Sequence, residues 1–219
     1  MLAGIVINKK WNREIPFGFT LRPDGKSIRE ILKVGVPSTL VQVLTSFVAV
    51  LMNTILIAFS NTAVAVYGIC ARLSGIVLVG VHGIDNGLIP IVAYNYGVSN
   101  KSGDESAAKR VSDAVKWALI FSVLFYLVFF GVLELAPGAV LGIFDASDHM
   151  LRIGTPALRV MALAWLASIP ALVMSAGLQG LSMGMSSMVV TMARQAVLPL
   201  IFAFVLSRTG ELDDLWFSF

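Results

Sequence analysis

Two long stretches of this sequence contain no acidic, basic or histidine side chain. One runs from Val34 to Ala71 and the other from Val160 to Ala193. About 20 apolar residues are enough for a helix to cross the roughly 30 Å hydrocarbon core of a bilayer, and each stretch exceeds that length. A surface helix of a soluble protein would instead keep one polar face towards water. The two stretches therefore predict a protein embedded in a membrane.

The composition of the chain agrees with a membrane location. Of its 219 residues, 57% are hydrophobic and 13% are charged, whereas about a quarter of a soluble domain is charged. The net charge of +3 does not indicate nucleic-acid binding, because the basic residues lie beside the apolar stretches and form no aromatic-interleaved face. We therefore expect membrane lipid as a partner and no nucleic acid.

The apolar pattern predicts an all-α fold, a polytopic membrane helix bundle with about five transmembrane helices. Residues 1–30 are predicted to be a cytoplasmic linker that starts with the stump of a preceding helix, and residues 31–219 to be a transmembrane lobe. A short interfacial helix is expected after Pro137. The five spans are predicted at residues 31–59, 63–97, 111–133, 153–178 and 186–207.

The distribution of lysine and arginine predicts the orientation. Residues 1–33 contain seven of these residues and the loop at 98–110 contains three, whereas the 60–62 turn contains none. Basic residues are enriched in the short cytoplasmic loops of membrane proteins. The amino terminus and the 98–110 loop are therefore predicted to be cytoplasmic.

Several motifs in a fixed order resemble a known transporter family. The motifs are KVGVPSTLVQ, AVYGICARL, GLIPIVAYNYG, the stretch from LGIFDAS to PALRV, and MARQAVLPL. Together they are similar to the second, carboxyl-terminal lobe of a MATE (multidrug and toxic compound extrusion) transporter. The resemblance implies a six-helix lobe whose sixth helix would begin at about Trp216, so the chain looks like a truncated lobe, a fragment or the product of a split gene. It also implies a first-lobe MATE half as a partner.

The same resemblance implies secondary active transport in the plasma membrane. The expected activity is antiport that uses H⁺ or Na⁺ to export amphipathic or cationic drugs and toxic compounds. One alternative is a lipid-linked substrate flippase of the same superfamily, which should have a cavity rich in arginine and lysine. Another is a truncated lobe that does not transport and is inert or modulates a full-length partner.

Motifs for other chemistry are absent from the sequence. It contains no GxxxxGK[ST] phosphate-binding loop, and no Ser–His–Asp set can be assembled, so we expect no enzyme activity. Its single cysteine, Cys70, is predicted to be a small core residue. Cys70, His82 and His149 do not form a metal-ligand set, and no cofactor other than the coupling ion is expected.

Polar side chains within the predicted spans are the candidates for binding substrate or cation, because such groups are costly in a bilayer and usually serve a function. Snorkelling of arginine to the interface and helix packing by amides remain the structural alternatives. Sodium-coupled relatives carry acids near the positions of Gln42 and Ser168, which argues against that particular cation site here. The candidates are Gln42, Asn53, Arg72, His82, Asp85, Asn86 and Arg194.

Asp85 is the most unusual of these candidates. Pro90 removes a helical hydrogen bond and predicts a kink that opens a small polar cavity around Asp85. His82 lies three residues earlier on the same helix face, and Arg194 is expected at a comparable depth on another helix. Asp85 is therefore predicted either to couple transport to a cation or to form a structural pair.

Methionines offer a second way to line a binding site, since their flexible side chains adapt to varied ligands. Most of them are nevertheless expected to pack against other helices or to face lipid. The methionines concerned are Met52, Met174, Met183, Met185, Met188 and Met192.

Overall fold

The computed structural model of the protein describes residues 24–206 and residue 216, and in that part of the chain it contains helices and no strand. The described residues belong to two compact units that meet in the sequence between Val36 and Pro37. A π-helical turn, Ala193–Val197, joins the last two α-helices. The α-helices are α1 (Gly25–Ile57), α2 (Asn61–Val77), α3 (Val79–Ser102), α4 (Glu105–Leu135), α5 (Pro137–Gly142), α6 (Asp148–Gly180), α7 (Gly184–Met192) and α8 (Leu198–Leu206).

Four helical segments are long and apolar enough to cross a membrane, and α2 and α3 make a fifth if the bent pair is one span. This confirms the predicted fold class, an all-α bundle with about five membrane spans. The short helix predicted after Pro137 is present as α5. The four segments are Thr39–Ile57, Glu105–Leu135, Asp148–Gly180 and Gly184–Val205.

The bend in the second span lies at Leu78, where α2 and α3 meet at 44°. Pro90 lies inside helix α3, which runs without a break from Val79 to Ser102, so the kink predicted at Pro90 stays a prediction. A proline costs a helix one hydrogen bond without having to end it. Just after the break, Gly80 lies so close to α4 that a Cβ atom there would overlap the ring of Phe125. Glycine thus permits the start of α3 to contact α4 directly.

Helix α6 packs against α2, α3, α4, α5 and α7 and is the centre of the bundle. Its buried residues include Leu158, Trp165, Ile169 and Val173, and their spacing of four or seven positions places them on one face of the helix. Tyr126 of α4 is fully buried, and its hydroxyl donates a 2.7 Å hydrogen bond to the carbonyl oxygen of Ala162. The apolar face and this polar contact together hold α4 against α6.

A cluster of small polar side chains joins α6 to α7. The hydroxyl of Ser175 lies 2.7 Å from that of Ser187 and 3.0 Å from that of Thr191. The amide of Gln179 donates a 3.2 Å hydrogen bond to Ser187. Buried hydroxyls need such partners, so the cluster fixes how the two helices meet across the turn at 181–183.

The loop between α3 and α4 is held by polar side chains of the loop and of the adjoining helix ends. Gly103 ends α3 in the left-handed region with φ of 65°, and Asp104 accepts a 2.9 Å hydrogen bond from the Ser106 backbone at the start of α4. Arg110 donates to Asn95 at 2.9 Å and to Asp104 at 3.3 Å. Hydrogen bonding to Ser106 and, to a lesser extent, the charge of Arg110 hold the pKa of Asp104 below its ordinary value. The cap is therefore a stable carboxylate at the helix N-terminus.

Candidate functional site

A cavity of about 300 Å³ that opens to the surface lies between the helices, next to the bend at Leu78. Its walls come from α1, α2, α3, α6, the π-helical turn and the start of α8. Its polar lining consists of Tyr67, Ser74, His82, Ser168, Arg194 and Gln195. Its apolar lining includes Val48, Met52, Leu78, Met161, Trp165 and Leu172. An apolar cavity with a few polar groups is the usual form of a small-molecule site.

The π-helical turn places two polar residues, Arg194 and Gln195, on the wall of this cavity. Pro199 has no N–H to donate to the carbonyl of Gln195, and its ring would crowd that carbonyl in a regular α-helix. The turn widens instead, and the N–H of Leu198 donates to the carbonyl of Ala193, five residues earlier. Such single π turns occur often at functional sites.

Gln195 is also placed by its contact with the neighbouring helix α1. The hydroxyl of Thr45 donates a 2.8 Å hydrogen bond to the Val41 carbonyl and lies 3.5 Å from Oε1 of Gln195. This contact keeps the oxygen of the Gln195 amide at α1. The NH₂ group of the same amide makes no hydrogen bond with any residue in the described ranges.

Arg194 is partly buried and lines the cavity without an acidic neighbour. Among residues 24–206 and 216, no carboxylate lies within 4.0 Å of its guanidinium, and none of the residues lining the cavity is acidic. The expected proximity of Arg194 to Asp85 therefore does not amount to an ion pair between these two residues.

Asp85 is buried, with 12% of its side chain exposed, and it is not among the residues that line the cavity. Its Oδ2 atom is 4.0 Å from Nδ1 of His82. Its Oδ1 atom accepts no hydrogen bond from the described residues. His82 does line the cavity, so its imidazole lies both at the cavity and near the carboxyl group of Asp85.

The other predicted candidates lie on the surface of the described chain and not in the cavity. Gln42 and Asn53 are exposed on α1, Arg72 on α2 and Asn86 on α3. His82 and Arg194 thus both line the cavity, and Asp85 lies next to His82. The other four candidates lie outside the cavity.

Several lining residues were not among the predicted candidates. Gln195 could have been found from its position beside Arg194 in MARQAVLPL. Tyr67 and Trp165 give no such signal, since aromatic residues in apolar helices are most often core. Of the methionines, Met52 is buried and lines the cavity, whereas Met174 is 55% exposed.

Metal binding has no support in the described part of the chain. Residues 24–206 and 216 contain no group of three or more His, Cys, Asp or Glu side chains arranged to hold a metal ion.

Solved structures with a similar fold include two MATE structures. The crystal structure of MATE in the straight conformation has a TM-score of 0.83 and 22% identity, and the similarity covers 99% of this chain and 48% of that one. An outward-facing conformation of a multidrug resistance MATE family transporter has a TM-score of 0.81 and 22% identity, over 99% and 48% of the two chains. At this identity the likeness concerns the fold alone.

Sequence comparison gives the family. The multidrug export protein MepA of Staphylococcus haemolyticus is 26% identical over 89% of this chain and 41% of its own length. MepA of Staphylococcus aureus strain MRSA252 is 30% identical over 64% of this chain and 29% of its own length. The chain thus spans less than half the length of these relatives. The MatE family model matches residues 37–205, so this multi-pass membrane protein belongs to the MatE family, the MATE transporters.

Proposed function

We propose that this chain is one lobe of a cation-coupled antiporter that exports amphipathic or cationic drugs across the plasma membrane. Membership of the MatE family and relatives named as multidrug export proteins support export. These relatives are transporters, which is consistent with the expectation that the chain is not an enzyme. The cavity lining contains one arginine and no lysine, which favours a drug exporter over a flippase for phosphate-bearing lipids.

The observation that carries the coupling proposal is the buried carboxyl group of Asp85. A carboxylate inside a span is costly unless it is paired or used, and one oxygen of Asp85 has no hydrogen bond within the described residues. His82 lines the cavity, and its Nδ1 atom lies 4.0 Å from Oδ2 of Asp85. A proton or Na⁺ bound at Asp85 would therefore alter the charge beside the cavity through His82.

A first-lobe half is the partner that this proposal requires. The α1 surface carries the exposed polar residues Gln42, Ser46 and Asn53, four and seven positions apart and hence on nearby parts of one helix face. The side-chain amides of Gln42 and Asn53 form no hydrogen bond with the described residues. Polar groups in a span normally face protein or a water-filled cavity, so we propose that this face meets the other lobe. Residues 1–30 would then be the cytoplasmic link between the lobes.

An efflux assay tests this function. Three sets of cells that lack their main exporters are compared. The first expresses this chain alone, the second expresses a first lobe from a MATE relative alone, and the third expresses both. We expect gradient-dependent loss of ethidium only when both lobes are present, because the route between two related halves needs both. Robust gradient-dependent efflux by the purified chain in liposomes would contradict the need for a first lobe and indicate a homodimer.

The orientation has its own test. We propose that the 98–110 loop is cytoplasmic, so Lys101→Cys should react with an impermeant thiol reagent only after the membrane is opened. Lys101 is exposed and suits this test better than Gly103, whose φ of 65° disfavours a side chain. The control is Ala58→Cys in the turn before α2, which should react in intact cells. Cys70 is buried and should give no background. Labelling of Lys101→Cys in intact cells would reverse the proposed orientation.

A further inference from the structure

The lining of the cavity carries a positive charge, which is the wrong sign for binding a cation. Arg194 is a permanent cation on its wall, and none of the lining residues is a carboxylate. A positively charged compound in this cavity would be repelled at short distance, where the low dielectric of the interior makes charge interactions stronger than in water. Arg194 itself lacks a carboxylate partner among residues 24–206 and 216.

Two neighbouring hydrogen-bond donors, on Arg194 and Gln195, indicate what kind of group could bind here. The guanidinium of Arg194 presents planar N–H groups that match the paired oxygens of a carboxylate or another oxyacid. The NH₂ group of Gln195 is a further donor on the same wall, since only the oxygen of this amide is directed to Thr45. Helix α6 contributes the apolar side chains Met161 and Trp165 to the same cavity lining.

We infer that this cavity binds an amphipathic organic anion, with its acidic oxygens at Arg194 and Gln195 and its apolar body against Trp165 and Met161. The inference rests on the proposed export function in one respect, since the inference names a class of substrate for this lobe. A cationic drug would then be held elsewhere in the complete transporter. The same chemistry also fits the head group of an anionic lipid, so the source of the anion needs a separate arm in the test.

The test compares two ligands of the same shape that differ in charge. The whole chain is placed in phosphatidylcholine nanodiscs, and binding of labelled 2-naphthoate and neutral 2-naphthamide is measured by equilibrium dialysis. We expect Arg194→Gln to weaken naphthoate binding by about tenfold or more, the change that corresponds to loss of a hydrogen bond to a charged group. Naphthamide should bind both proteins equally, which also shows that the variant is folded. Arg194→Lys should keep part of the naphthoate affinity.

Arg72→Gln is the matched control, since it removes an arginine from a span but outside the cavity, and it should leave naphthoate binding unchanged. Nanodiscs that contain phosphatidylglycerol distinguish a lipid head group from a soluble compound as the natural anion. If they weaken naphthoate binding to the unmodified chain but not to Arg194→Gln, the natural anion is a lipid head group; if they have no effect, it is a soluble compound.

Equal affinity of the unmodified chain and Arg194→Gln for naphthoate would overturn the inference, and so would equal affinity of the unmodified chain for naphthoate and naphthamide. Either result together with ethidium efflux by the two-lobe transporter would leave the export function intact. Naphthoate binding that depends on Arg194, without ethidium efflux by the two-lobe transporter, would support the anion site and contradict the proposed export function.

Discussion

Replacing Asp85 with asparagine in a transporter completed by a first lobe is expected to abolish the dependence of efflux on the H⁺ or Na⁺ gradient. Asparagine has nearly the same shape but cannot release a proton or hold a cation by charge. A coupling free energy of 1–3 kcal/mol corresponds to roughly a 5- to 150-fold effect of one ligand on the other. We expect an effect of that size to disappear, measured as the efflux rate with and without each gradient.

Asp113→Asn provides the control for the Asp85 variant. Asp113 lies near the start of α4 and is exposed, so its replacement should change neither the ion dependence nor the amount of protein in the membrane. The Asp85 variant should also reach the membrane in normal amounts, because the asparagine side chain can still hydrogen-bond. Unchanged ion dependence in Asp85→Asn would assign Asp85 a structural role beside His82.

Replacing Gly180 with alanine should have the largest effect on stability among single glycine changes in this bundle. A Cβ atom at Gly180 would lie 2.7 Å from Cβ of Val92 and 2.9 Å from the carbonyl oxygen of Ile89. The second contact is with backbone, so a side-chain rotation cannot relieve it and α3 must move away from α6. Overpacking of this kind costs about 1–3 kcal/mol. Thermal denaturation of the chain in detergent, followed by size-exclusion chromatography, would measure the loss.

Gly177→Ala is the paired substitution one helical turn earlier on α6. Its Cβ atom would meet only the Val115 side chain, at 3.4 Å, which is ordinary contact. Alanine also favours a helix over glycine by roughly 1 kcal/mol. Gly177→Ala should therefore be at least as stable as the unmodified chain, and equal melting temperatures for the two variants would contradict the close packing of Gly180 against α3.

The membrane spans could be predicted from the sequence because their cause is local. A run such as Val34–Ala71 has no charged side chain, and in a bilayer such a run satisfies its backbone hydrogen bonds by forming helices. Helix ends are less evident, since they depend on caps. The side chain of Ser147, for instance, accepts a hydrogen bond from the backbone N–H of Met150, and α6 begins at Asp148, five residues before the predicted start at residue 153.

The position of the bend and the composition of the cavity could not be predicted in this way. Pro90 is the obvious breaker in the sequence, but the break at Leu78 accompanies a contact between Gly80 and Phe125, which is distant in the sequence. Likewise, nothing in an apolar helix distinguishes Trp165 from its neighbours before α1, α2 and α7 are placed around it. The polarity of a candidate such as Asn53 indicates a function but not which surface it faces.

The π-helical turn affects how this chain is to be compared with its relatives. A π turn holds one more residue than the α-helical turn it replaces, so the residues after Val197 face in directions that an uninterrupted α-helix from Gly184 would not give. A helical wheel drawn through the whole segment would therefore assign Ile201 and Phe202 to the wrong sides. In an alignment, a gap of one residue within 193–197 is to be interpreted as a change between α and π winding inside a continuous span, and the positions on either side of it remain equivalent.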